Sequence, residues 1–154
     1  MEEVIADLSM QWKVGIRNGD TSLAERQKQK RQMPEVLIIT PESLHLLLGQ
    51  KQYPEVFQTL KLFTVDEWHE LIGSKRGVQV ELALSRIIGC INAKNTPTAI
   101  WGISATIGNL SQAMDVLLYP LRLTGKNEDE GVIIRAKLSK KIEIESILPD
   151  EIEK

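Results

Sequence analysis

Cysteine occurs once in these 154 residues, at Cys90, and histidine only twice. One thiol excludes a disulfide framework, and one thiol with two imidazoles cannot build a zinc site of the usual Cys/His kind. Cys90 suits a reducing cytoplasm. No run of 18 apolar residues is present, so no segment is expected to span a membrane. Met1–Met10 carries three acids and no early basic cluster, unlike a signal peptide. Neither charge sign dominates: 19 basic and 21 acidic residues leave a net charge of −2. That excludes a strongly basic nucleic-acid module held by bulk charge, while a local basic face is still compatible with it. What remains is an ordinary globular composition, 42% hydrophobic and 26% charged. The length suits one domain, burying roughly two-thirds of its unfolded surface.

Short apolar runs alternate with helical patterns. Lys13–Arg17 reads as a strand closed by the turn signal Asn18-Gly19-Asp20, and Thr21–Gln32 as a very polar helix. Val36–Thr40 is a continuous apolar run, as expected of a strand covered on both faces. Pro41 starts a helix over Glu42–Leu48, with Gly49 as its C-cap. Leu60–Val65 and Ala99–Ile103 read as two further strands. The clearest helix is Arg76–Ala93, where Val80, Ala83, Leu84, Ile87 and Ile91 share one face. Asn109–Leu118 is another. Strands separated by such helices imply βαβ crossovers, hence an α/β fold with a mostly parallel sheet and flanking helices. Val132–Ala136 and Lys141–Ser146 are expected to pair as a terminal hairpin or edge addition.

In a parallel sheet, ligands bind beyond the carboxyl ends of the strands. Those positions read Asn18-Gly19-Asp20-Thr21, Thr40-Pro41-Glu42-Ser43, Asp66-Glu67-Trp68-His69 and Ser104-Ala105-Thr106, all polar. Two carboxylates at the end of a buried strand are costly unless cations or donors meet them. A hydrated Mg²⁺ answers that need, with Asp66 holding the metal through water and Glu67 deprotonating an attacking water. The bland reading is a helix N-terminus decorated with acids, which the helix dipole favours.

Asp66-Glu67-Trp68-His69 resembles the DExH box, motif II of superfamily 2 helicases, and Ser104-Ala105-Thr106 resembles their motif III. Thr40-Pro41-Glu42-Ser43 is similar to motif Ib, and Arg17-Asn18-Gly19-Asp20-Thr21 to the R-x-G-D-T segment between motifs Ia and Ib. The longer string Asp66–Ile87 resembles the Lhr-like group, in particular the bacterial ligase-associated DEXH-box helicases. The resemblance implies a partial RecA-like domain of P-loop NTPase type over residues 1–148, with 149–154 opening a linker to a second RecA-like domain. It implies an ATP-dependent DNA helicase, with RNA left open, using ATP and Mg²⁺ in the cytoplasm; a DNA ligase or nuclease is an associated partner.

It also implies roles. Asp66 binds Mg²⁺ through water, Glu67 is the general base, and His69 links the nucleotide site to motif III. Ser104 and Thr106 couple hydrolysis to strand movement, although both also suit plain helix capping. Thr40, Glu42 and Ser43 lie where exposed amides and a helix dipole favour a phosphate. Arg17, Gly19 and Thr21 are further backbone contacts, and Lys75 and Arg76, in the loop after motif II, contact DNA or the second domain. The basic run Arg26, Lys28, Lys30, Arg31 reads instead as a solvated face, and Trp12, Trp68 and Trp101 as packing residues.

One motif is missing. G-x-x-x-x-G-K-[ST], which cradles phosphates, does not occur: the only Gly-Lys is Gly125-Lys126, followed by Asn127 and preceded at the first glycine position by Pro120. The expectation is therefore a fragment lacking motif I, inactive alone, whose exposed sheet edge favours self-association. The alternative is a non-catalytic helicase remnant that binds a partner or nucleic acid.

Overall fold

The computed structural model describes residues 1–92, 97–105, 107–123 and 131–136. In chain order these form α1 (Glu2–Asp7), β1 (Val14–Arg17), α2 (Leu23–Arg31), β2 (Val36–Ile39), α3 (Pro41–Leu48), α4 (Tyr53–Val56), β3 (Leu62–Val65), α5 (Trp68–Leu71), α6 (Lys75–Asn92), β4 (Ala99–Gly102) and α7 (Leu110–Arg122). Three helix starts are set by short polar side chains taking up a free amide, as N-caps do. Ser22 accepts from Glu25 N–H, Thr40 from Ser43 N–H and Asn109 from Gln112 N–H. Pro41 occupies the first turn of α3, where its missing N–H costs nothing.

The strands pair in parallel, β1 with β2 and β3 with β4, with Val14 opposite Val36 and Leu62 opposite Ala99. The expected parallel arrangement is present, but as two ladders: among the described residues no strand joins β2 to β3. Helix α6 binds the halves together. Its expected single apolar stripe resolves into two adjacent i, i+4 rows. Val80, Leu84 and Ile88 pack on Val65, Ile100, Trp68, Ala113 and Leu117. Ala83, Ile87 and Ile91 pack on Leu44, Leu47, Leu48 and Phe57, with Leu37 and Ile39 of β2 and Phe63 of β3 against the same cluster. Ala83, Leu84 and Ile87 have no solvent exposure.

Strand alternation leaves the opposite face open. Ile16 of β1, Ile38 of β2, Leu62 of β3 and Trp101 of β4 are 57%, 46%, 38% and 58% exposed. Parallel sheets are normally covered on both sides, so this face is incompletely covered by the described residues.

Several expectations are corrected. Helices α1, α4 and α5 span six, four and four residues, too short to show a 3.6-residue periodicity. Lys75 and Arg76 form the first turn of α6 rather than a loop. Helix α7 runs through Pro120 to Arg122 instead of stopping at Leu118. Residues 132–136 form no strand, and Val132 and Ile134 are 82% and 90% exposed, so no sheet covers them. Lys141–Ser146 and the 149–154 linker lie outside the described residues.

Two glycines shape the turn into α6. Gly73 has φ +75, in the left-handed region. At Gly77 a Cβ would collide with the carbonyl of Leu71, so α5 and α6 meet this closely only because no side chain intervenes.

Candidate functional site

Asp66 and Glu67 follow β3 directly, and both are exposed. Asp66 Oδ1 accepts the Glu67 amide at 2.9 Å. Glu67 has φ +50, a left-handed conformation that costs a non-glycine residue roughly 1 kcal/mol or more. The surroundings enforce it. Trp68 N–H donates to Ile103 O at 3.0 Å, and Ile103 N–H donates to Val65 O at 2.8 Å. The Trp68 ring is 2% exposed, and its indole N–H donates to Ala113 O at 2.9 Å. The chain is thus pinned on both sides of Glu67, whose carboxylate stays in solvent.

His69 joins the ends of β3 and β4. Its Nδ1 lies 3.1 Å from Ser104 Oγ, 3.3 Å from Ala105 N and 3.3 Å from Glu67 Oε2. Its Nε2 lies 3.5 Å from Glu70 Oε1. A backbone amide can only donate, so Nδ1 accepts, and the proton of the neutral ring sits on Nε2, facing Glu70. The structure therefore brings together four of the expected residues: Asp66, Glu67, His69 and Ser104. Thr106 lies outside the described residues.

Among the described residues no group of three or more acids, histidines or cysteines gathers into an all-protein metal cage. A single carboxylate beside a second exposed one does fit Mg²⁺, which keeps several waters and takes one or two carboxylates plus substrate phosphates. ATP fits only in part, because the sequence carries no phosphate cradle.

The second group lies at the ends of β1 and β2, linked by Thr40 N–H donating to Arg17 O at 3.2 Å. Gly19 is exposed, with no heavy atom within 4 Å of where a Cβ would stand, so its main chain is open to close approach. The Thr21 hydroxyl is used inside the turn, 2.9 Å from the Asn18 amide, 3.1 Å from Asn18 Oδ1 and 3.3 Å from Ile16 O. Arg17 and Ser43 depart from the expectation of surface contacts, because both are only 4% exposed. Burial, then the neighbouring Arg26 charge, lowers the Arg17 pKa. Glu42 and Arg76, both expected at the nucleic-acid face, engage each other, with Arg76 Nε donating to Glu42 Oε1 at 2.9 Å. The Glu42 carboxyl is lowered mainly by its own backbone amide, then by Arg76. Lys75 is exposed beside Arg76 in the first turn of α6. Two cations there oppose the helix dipole.

Trp68 and the Ala105 amide were not legible as site-builders, since nothing local to either marks a partner more than 30 residues away.

The profile of the DEAD/DEAH box helicase family matches residues 1–113. The chain is 35% identical over 144 residues to an ATP-dependent helicase, Lhr-Core protein 2, of Thermococcus barophilus, covering 90% of this chain and 16% of that protein. It is 39% identical over 99 residues to the Lhr helicase/uracil glycosylase of Escherichia coli, covering 64% of this chain and 6% of that one. Among solved structures it is similar to the Mycobacterium smegmatis helicase Lhr bound to single-stranded DNA and AMP-PNP. There the TM-score is 0.63 and the identity 31%, over 75% of this chain and 15% of that one. The DUF1998 helicase MrfA bound to DNA has a TM-score of 0.63 and 28% identity, over 81% and 16%. The chain thus spans about one-sixth, or less, of the length of these relatives.

Proposed function

This chain belongs to the DEAD/DEAH box helicase family, and on that premise we propose that it supplies the water-activating and strand-contacting part of the first RecA-like domain of an ATP-dependent DNA helicase. The observation that carries this reading is the convergence of Glu67, His69, Ser104 and the Ala105 amide at the ends of two paired parallel strands.

Asp66 is the residue that would hold Mg²⁺. When bound with the nucleotide, the metal offsets charge on the transferred phosphoryl group. Glu67, held outward by its left-handed backbone, takes a proton from the attacking water. His69 carries the position of that acid to Ser104 and Ala105, and Thr106 completes the coupling segment. Gly19, Thr21, Thr40, Glu42, Lys75 and Arg76 face the nucleic-acid strand, with Arg17 and Ser43 beneath them. Backbone contact of this kind positions a strand without reading its sequence. The second RecA-like domain closes the site, a DNA ligase or nuclease is the associated partner, and the compartment is the cytoplasm. Among the described residues no helix is long and apolar enough to cross a membrane.

The test is enzymatic. The 154-residue chain alone releases no phosphate from ATP, with or without single-stranded DNA, because nothing in it cradles the phosphates. In a longer chain that includes the cradle, Glu67→Gln lowers hydrolysis on the order of 10²-fold or more while nucleotide binding persists. Glu67-dependent turnover by the short chain, or near-normal hydrolysis by the variant, overturns the reading.

A further inference from the structure

Glu67 precedes α5 with φ +50 and ψ +43, and no side chain caps the helix there. A residue with a Cβ keeps that conformation only where its surroundings over-determine it. The backbone bonds of Trp68 N–H to Ile103 O and of Ile103 N–H to Val65 O fix where the chain leaves β3. They leave the direction of α5 open. That helix spans four residues, too few to hold its own geometry, so its direction depends on what anchors it.

The anchor is the Trp68 side chain. Trp68 is the buried residue of α5, and its ring packs with Val65, Ile100 and Leu117. The indole N–H donates at 2.9 Å to Ala113 O, a carbonyl in the first turn of α7. An apolar ring would be enough for packing, whereas the bond adds a direction and would leave a buried donor unpaired if α7 moved away. At the end of β4, a Cβ on Gly102 would stand 2.7 Å from Leu117 Cδ2 and 3.9 Å from Trp68 Cδ1. The missing side chain lets Leu117 of α7 close on β4 beside the indole, and close packing leaves the ring little freedom to tilt.

We propose that Trp68 is a positioning residue for Glu67. Through its bond to Ala113 it makes the left-handed backbone of Glu67, and with it the direction of the carboxylate, depend on the seat of α7. A shift of α7 then reaches Glu67 by a route separate from the His69 contacts with Ser104 and Ala105. The consequence for hydrolysis rests on the reading of Glu67 as general base; the conformational dependence does not.

The first arm of the test uses the 154-residue chain and needs no turnover. Glu67→Gly and Glu67→Ala are made with Trp68 intact and in the Trp68→Phe background, and all are unfolded in urea. Glycine meets a positive φ without strain and alanine does not. The extra freedom of glycine in the unfolded chain is the same in both backgrounds and drops out of the comparison. The advantage of glycine over alanine should therefore shrink by about threefold or more in the unfolding equilibrium once the indole bond is gone, as release of left-handed strain implies.

The second arm uses a longer chain that includes the phosphate cradle. There Trp68→Phe should lower kcat by about tenfold or more, as misplacement of a reacting group does, with KM for ATP unchanged. A packing role alone would leave kcat of the folded enzyme untouched. An unchanged glycine advantage shows that the backbone bonds hold Glu67 without the indole and overturns the proposal. A normal kcat for Trp68→Phe overturns it as well. Normal hydrolysis by Glu67→Gln removes the base assignment instead, and the first arm still decides the role of Trp68.

Discussion

The amide of Ala105 donates to Nδ1 of His69 at 3.3 Å across the ends of two paired strands. The same nitrogen lies 3.3 Å from the Glu67 carboxylate. These two partners make opposite demands, because the amide needs an unprotonated nitrogen and the carboxylate attracts a protonated one. Removing the ring acceptor should therefore release Ala105. The Ala105 amide resonance should shift in His69→Phe relative to wild type, while amides remote from the ends of β3 and β4 stay in place. An Ala105 signal that ignores the ring would show that the contact does not link the strands in solution.

Trp68 anchors the residue after Glu67. Trp68→Ala should destabilise the chain by about 3–5 kcal/mol, as expected for deleting a buried aromatic side chain. Trp68→Phe keeps most of the apolar area but loses the indole bond to Ala113 O, costing a further contribution of about 1 kcal/mol. Urea denaturation of the two variants checks the order. A Trp68→Phe variant as stable as wild type would show that packing alone holds the ring.

Glu42 and Arg76 join the start of α3 to the start of α6. The carboxyl is held below its ordinary value of 4.5 by its own amide and then by Arg76. A carboxylate lowered on folding contributes stability above its unfolded pKa and loses that contribution as pH falls through the folded one. Glu42→Gln should thus lower the melting temperature at neutral pH and make no difference in strong acid. Both side chains are about half exposed, so the effect should stay under about 1 kcal/mol and shrink with added salt. A gap that widens in acid would contradict the assignment.

Self-association should run through the open sheet face. The outer edge of β1 is partly closed, since Gln29 and Thr21 both donate to the Ile16 carbonyl, on the side away from β2. The exposed Ile16, Ile38, Leu62 and Trp101 offer apolar area on the face instead. Sedimentation should show concentration-dependent association, and Ile38→Lys combined with Trp101→Lys should remove it. A strict monomer at high concentration would contradict this expectation.

How much of this was legible depended on the range of the interaction. The four strands and the helices α2, α3, α6 and α7 were readable to within a few residues, because runs, caps and periodicity are local signals. The positions of the polar segments after each strand followed from the same local pattern. The two ladders were not readable, because pairing depends on which strands lie side by side. Arg17 looked like an exposed cation in a turn motif, yet it is only 4% exposed. Glu42 and Arg76, 34 residues apart, looked like separate phosphate contacts and are partners.

The sequence by itself therefore determined the four paired strands, the helices α2, α3, α6 and α7 to within a few residues, the strand-end placement of Asp66-Glu67 and Ser104-Ala105, and, through its matched motifs, the family. It also settled that no phosphate cradle lies in these 154 residues. Only the tertiary structure decided the left-handed backbone of Glu67, the acceptor role of His69 Nδ1 and the burial of Arg17. The first two depend on groups distant in sequence, 35 residues between His69 and Ser104 and 45 between Trp68 and Ala113. Local propensity carries no information about such contacts until the chain has closed on its core.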